Sequence, residues 1–113
     1  MKAAFKTRLI KALTSEKYKH CEGALCTRGR YCIMGVVCDL SKKAVGGHWE
    51  PGKTKSDAHT FVVGTSSRNQ GTAPKKVLIY TGISDALQEV LFGMNDSGMT
   101  FKGFVKFLKA MKP

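Results

Sequence analysis

The stretch that decides the fold is residues 23–40, GALCTRGRYCIMGVVCDL, in which a basic turn leads directly into an apolar run. Cys32, Val36 and Leu40 recur at helical spacing, and Ile33 and Val37 lie beside them. This pattern predicts a buried helix over residues 32–44. We expect the rest of the chain to pack around it.

The composition bounds the size and the partners of the protein. The chain has 113 residues, 42% of them hydrophobic and 24% charged, which is typical of one globular domain, residues 1–113, with a modest core. Its formal net charge of +11 favours polyanionic partners, because charge of this size bears on association more than on fold. The longest apolar run is far too short to cross a bilayer, so we expect no membrane contact.

Outside the central stretch, four further segments have helical patterns. Residues 3–14 are amphipathic, and Pro74 is placed to open a short helix. Ser84 is a predicted N-cap for a helix whose core face is Leu87, Val90 and Leu91. Residues 95–98 have the composition of a turn, and Thr100 can cap a last helix. The sequence therefore predicts four or five short helices.

Residues 41–76 differ from their surroundings and predict a loop-rich insertion. They include five glycines, two prolines and seven basic residues, but only two acidic ones. Residues 47–50 and 59–64 are β-prone, so we expect a hairpin here. The predicted fold class is α+β, mainly helical, with one β-hairpin.

Four segments of the chain carry distinctive motifs: residues 13–19 (LTSEKYK), 29–39 (GRYCIMGVVCD), 73–77 (APKKV) with 81–82 (TG), and 94–101 (MNDSGMTF). Together they resemble a family of small uncharacterised proteins of tailed phages and prophages. The family pattern has a Tyr-Cys-x-x-Gly-Val-x-Cys-Asp block and an Asn-Asp-x-Gly-x-(Ser/Thr)-Phe turn. This chain departs from it at Ala73, where leucine is usual, and at Tyr80, where tryptophan is common. The resemblance implies a phage origin and an architecture, but it brings no catalytic residues.

Cys32 is the candidate nucleophile. A cysteine at a helix N-terminus after Arg28 and Arg30 has a favourable site for a thiolate, and His48 or His59 is available as the general base. The alternative is that Cys32 is a small buried residue, as cysteines often are. In that case we expect Cys32→Ser to be destabilising, because the hydroxyl would lack a partner.

Cys21 and Cys26 are the candidate metal ligands. Only their spacing, with four residues between them, meets the pattern of a structural zinc site, whereas Cys38 lies on the predicted core helix. The alternative is a set of unrelated reduced thiols. The sequence indicates no cofactor.

A basic surface is the strongest functional feature of the sequence. Trp49 or Phe61 of the hairpin is a candidate for stacking on a base. The candidate phosphate contacts are lysines and one arginine of the insertion, the Pro74 helix and the last helix: Lys53, Lys55, Arg68, Lys75, Lys76, Lys102, Lys106 and Lys109. The alternative is a solvated face that promotes solubility.

We therefore expect a non-enzymatic phage accessory protein that binds an acidic host target: a protein, a nucleic acid or a nucleotide. Its expected location is the host cytoplasm, because basic residues interrupt the apolar residues of the N-terminus and no signal peptide is recognised. A cysteine hydrolase using Cys32 and a structural zinc module are the alternatives.

Overall fold

The computed structural model describes residues 1–54, 57–64, 67–69 and 71–112. The five helices are α1 (Ala3–Thr14), α2 (Ile33–Val45), α3 (Lys75–Thr81), α4 (Asp85–Asp96) and α5 (Phe101–Ala110). The six strands are β1 (Lys19–His20), β2 (Cys26–Thr27), β3 (Arg30–Tyr31), β4 (Gly47–Glu50), β5 (Thr60–Val63) and β6 (Ser67–Asn69). The α+β prediction is confirmed.

Helix α2 is the centre of the fold, as its apolar sequence predicts. Residues 33–39 are all buried, and α1, α3, α4, β3 and β4 contact this helix. Gly35 lets α2 lie directly against the chain before it, since an ideal Cβ there would be 1.8 Å from the carbonyl oxygen of Leu25. No other residue type fits that approach.

The N-terminus of α2 is capped from two sides. The Cys32 Sγ accepts a hydrogen bond from the Gly35 amide at 3.3 Å, so the thiol is the N-cap group. The Asn95 Oδ1, which comes from α4, accepts the Ile33 amide at 3.1 Å. Two of the amide groups that a helix start leaves without partners are thereby satisfied.

The predicted hairpin is present, and it belongs to a three-stranded sheet. Strands β4 and β5 pair antiparallel with His48 opposite Val62, and β6 adds a third strand that the sequence analysis did not predict. A second sheet was also missed, in which β3 pairs parallel with β1 and antiparallel with β2. Each of its strands has only two residues, too few to show a period.

The assignment of residues 95–98 as a turn was wrong in part. Asn95 and Asp96 complete α4, and Asn95 is fully buried. The predicted core face of that helix was also wrong at Val90, which is 49% exposed, whereas Gln88 and Asn95 are buried. Gln88 is buried because its Oε1 accepts the Ala73 amide at 2.8 Å. Which side chains of α4 are buried therefore depends on their hydrogen-bond partners as well as on their hydrophobicity.

Among the described residues, no helix has both the length and the apolar character that crossing a bilayer requires.

Candidate functional site

The last helix presents a row of three lysines, Lys102, Lys106 and Lys109, here called the α5 lysine row. The Thr100 hydroxyl accepts the Gly103 amide at 3.1 Å and starts the helix. Phe104, Val105 and Leu108 are buried, and all three lysines are exposed. The row lies on the solvent face because the buried positions occupy the opposite side of the helix.

Nothing in the described part of the chain neutralises the α5 lysine row. The described ion pairs join Asp39 to Lys42 and Glu50 to both His48 and Arg68, and none includes a lysine of α5. Four residues of helix rise about 6 Å, so Lys102 and Lys106 present separate charges on neighbouring turns. The row is therefore an extended positive surface that is open to solvent.

The other predicted phosphate contacts are not brought into this row by any described contact. Lys75 and Lys76 are exposed on α3. Arg68 forms an ion pair with Glu50. The hydrogen bond from Arg68 is the main reason that the pKa of the Glu50 carboxyl lies below its ordinary value. Lys53 lines a cleft elsewhere, and Lys55 lies outside the described residues.

Trp49 and Phe61, the two candidates for stacking on a base, both make described contacts within the protein. The Trp49 indole N–H donates to the Asp39 Oδ1 at 3.0 Å, and its ring meets Tyr31 and Phe61 edge to face at 5.8 and 4.8 Å. Phe61 is fully buried. Phe61 is thus packed in the core, whereas Trp49 is partly exposed and is anchored by a carboxylate.

That carboxylate is the centre of a small polar network beside α2. Asp39 accepts from the Tyr18 hydroxyl at 2.5 Å and from the Lys42 ammonium at 3.0 Å, in addition to Trp49. Burial alone would raise the pKa of Asp39, but these three hydrogen bonds outweigh it and lower the pKa. Asp39 is therefore ionised and serves to join α2 to β4 and to the segment before β1.

A cleft of about 720 Å³ lies where the two sheets approach each other. We call it the basic cleft, and it is lined by Arg28, Gly29, residues 51–54 and His59. Three of these seven residues carry basic side chains and none is acidic. The sequence predicted Lys53 as a phosphate contact and His59 as a general base, and in the structure both residues line the basic cleft.

The basic cleft has a defined backbone frame. Arg28 and Gly29 form the two-residue connection between β2 and β3, and both have positive φ, +52° and +72°. The His59 amide donates to the Cys26 carbonyl at 2.8 Å, and Thr27 bridges to Ala58. These contacts hold the segment that contains His59 beside the strand that leads into the Arg28 turn.

Cys32 is buried as expected, and its surroundings disfavour a nucleophile. It is 1% exposed, and burial raises the pKa of its thiol to about 12, although the hydrogen bond from Gly35 acts in the opposite direction. His48 is instead hydrogen-bonded to Glu50 at 3.2 Å, and His59 lines the basic cleft. No described contact joins Cys32 to a histidine that could act as its base.

The cysteines also lack the arrangement of a metal centre. Cys26 and Cys38 are buried and Cys21 is half-buried, and all four cysteines are free thiols. Within residues 1–54, 57–64, 67–69 and 71–112, no three Cys, His, Asp or Glu side chains are grouped so as to hold a metal ion.

The position of Arg28 in the basic cleft was not predicted from the sequence. The sequence placed Arg28 near the Cys32 thiol, whereas in the structure Arg28 lines the cleft. The available signal was the Arg-Gly pair between two short segments, since glycine at the second position of a two-residue loop is typical of a hairpin.

A family model described as "Domain of unknown function (DUF8296)" matches residues 1–111 of the chain. Neither the curated proteins nor the solved structures that were searched include a match.

Proposed function

The chain belongs to the DUF8296 family, whose function is unknown, and we propose that it is a non-enzymatic module that binds polyanions. The observation that supports this proposal best is the α5 lysine row, which is exposed and unpaired among the described residues. Because these lysines have no described salt bridge within the protein, no such bridge has to break when a partner binds. Their full electrostatic attraction is then available for binding.

Nucleic acid is the polyanion that this row suits best. Phosphates on one strand of B-DNA rise about 3.4 Å per nucleotide, and lysines one helical turn apart rise about 6 Å, so each ammonium can reach a different phosphate. Trp49 and Phe61 are engaged within the protein. We therefore propose contact with the phosphate backbone, with little dependence on base sequence.

The resemblance to phage and prophage proteins suggests the biological setting. On this proposal the protein acts in the cytoplasm of a bacterial host, in host takeover or counter-defence. Affinity purification from host lysate, with and without nuclease, tests this. Recovery of nucleic acid that depends on the α5 lysine row supports the proposal, whereas nuclease-resistant recovery of one acidic protein would replace nucleic acid as the target.

Binding to short duplex and single-stranded DNA, followed by fluorescence anisotropy over a range of salt, tests the proposal directly. Three phosphate contacts predict a slope of log affinity against log salt near −2.7 for duplex and near −2.1 for single strands, from about 0.9 and 0.7 per contact. Replacing Lys102, Lys106 and Lys109 with glutamate should abolish that binding. The helix should persist, because all three side chains are exposed.

The matched control replaces Lys17, Lys19 and Lys43 with glutamate. These lysines are also exposed, and the change in net charge is the same, but none of them lies on α5. We expect the control to retain most of the affinity. Equal losses in the two triple variants, or no binding by the parent protein at low salt, would refute the proposal.

A further inference from the structure

We propose that the basic cleft is a binding site for a small organic phosphate of nucleotide size, distinct from the α5 lysine row. The proposal does not depend on nucleic-acid binding, because different residues carry it.

The first argument is charge. Arg28, Lys53 and His59 line the cleft, and none of the three has an ion pair with another described residue. Of the two acidic residues nearest in sequence to residues 51–54, Glu50 is paired with residues outside the cleft, whereas Asp57 contacts the cleft-lining Gly52 and Thr54 and has no described ion pair with Arg28, Lys53 or His59. Glu50 binds Arg68 and His48, and the Asp57 carboxylate accepts the Thr54 amide at 3.0 Å. The cleft therefore holds the cationic side chains of Arg28 and Lys53, neither of which pairs with a described carboxylate, and arginine is suited to phosphate because its planar fork can donate two hydrogen bonds.

The second argument is the backbone conformation of Arg28. A two-residue turn with positive φ at both positions prefers Asn-Gly, Asp-Gly or Gly-Gly. This chain has arginine at φ +52°, a conformation that side chains other than Asn and Asp rarely adopt. Arginine is thus a poor choice for the turn itself. Its presence is accounted for if the guanidinium is needed in the cleft that it lines.

The third argument is size and access. A cleft of about 720 Å³ lies within the range of about 300 to 1,000 Å³ that is typical of small-molecule sites, and it is far larger than a bare phosphate needs. Gly29 has open space where a Cβ would stand, so a ligand can approach the backbone closely there. Pro51 offers an apolar surface to the organic part of the ligand.

The test is a titration of the ¹⁵N-labelled full chain with ADP, pyrophosphate and adenosine at constant ionic strength. ADP and pyrophosphate should shift the amide resonances of Arg28, Gly29, Gly52, Lys53 and His59 in a saturable manner. Adenosine, which lacks phosphate, should not. Absence of saturable shifts with both phosphates, or equal shifts with adenosine, would overturn the proposal.

Arg28→Asn separates a ligand-binding role from a structural one. Asparagine suits the turn, so this variant should melt at a higher temperature than the parent. It should also bind ADP about tenfold to a hundredfold more weakly, as expected for loss of a charged hydrogen bond. Unchanged affinity in this variant would refute the role of Arg28 as a phosphate ligand.

Two further variants complete the design. Arg30→Asn is the matched control, because Arg30 is exposed on the adjacent strand and does not line the cleft, and it should keep the parent affinity. Lys53→Gln should weaken ADP binding without affecting folding. The glutamate triple variant of the α5 lysine row should bind ADP like the parent, so loss of DNA binding and loss of ADP binding are separable results. Equal weakening by Arg28→Asn and Arg30→Asn would indicate general charge attraction and would overturn the cleft assignment.

Discussion

Replacing Asn95 with alanine should be among the most destabilising single changes in this protein. The side chain is fully buried and makes three hydrogen bonds: it accepts from the His20 ring at 2.6 Å and the Ile33 amide at 3.1 Å, and it donates to the Cys21 carbonyl at 3.1 Å. Because the Asn95 oxygen accepts from Ile33 and its nitrogen donates to Cys21, the His20 Nε2 must carry a proton. The amide therefore joins the C-terminal end of α4 to the start of α2 and to the segment around β1.

The magnitude follows from what alanine would leave behind. Ile33 is fully buried, so its unsatisfied amide costs about 1 to 3 kcal/mol. His20 and Cys21 are half-buried and can reach water, so together they add less, about 1 to 2 kcal/mol. The sum is about 2 to 5 kcal/mol. That is a large share of the roughly 5 to 15 kcal/mol by which folded domains are stable.

Urea unfolding followed by circular dichroism measures this loss as a shift of the midpoint at constant slope. Ser97→Ala is the matched control at the same end of α4. Ser97 is exposed, and its described side-chain hydrogen bond is to the Gly93 carbonyl of the same helix, so we expect a change within about 0.5 kcal/mol. Asn95→Asp keeps the two accepted hydrogen bonds but loses the donated one. A loss below about 1 kcal/mol for Asn95→Ala would refute the assignment of Asn95 as the polar anchor of α2.

Three more predictions concern the central helix. Gly35→Ala should destabilise the protein by about 3 kcal/mol or more, measured by thermal unfolding, because its Cβ would overlap the Leu25 carbonyl; a wild-type melting temperature would contradict the packing described. Cys32→Ser should cost less than about 1 kcal/mol in urea unfolding, a smaller loss than the sequence alone predicts, because the Gly35 amide already donates to this side chain and serine is a favoured N-cap. A loss of 2 kcal/mol or more would show that burial outweighs the cap. Asp39 has a folded-state pKa below its ordinary value of 3.8, so its contribution to the free energy of unfolding is complete above pH 3.8 and is lost as the pH falls through the folded pKa. Asp39→Asn should therefore weaken the fall in stability at acid pH, measured by urea unfolding at a series of pH values. An unchanged dependence on acid pH would refute the network.

The sequence by itself determined the helices, because their signals are local. The apolar spacing in α1, α2 and α5 and the caps at Ser84 and Thr100 all concern residues within one or two turns of each other. Both predicted hydroxyl caps are present, with hydrogen bonds of 3.1 Å to the third residue of each helix. The β4–β5 pairing was also predictable, since β-branched and aromatic residues followed a turn-rich segment.

The tertiary structure alone decided which polar residues are buried and which basic residues meet. Asn95 lies in a segment with the composition of a turn, and only the approach of α2 and of the segment around β1 gives its amide three partners and a reason to be buried. Arg28 and His59 are separated by thirty positions in the sequence, and they share the basic cleft because the Cys26 carbonyl accepts the His59 amide. The physical reason is that such contacts are made between elements distant in the chain, and no local pattern of residues specifies which distant hydrogen-bond partner will be brought near.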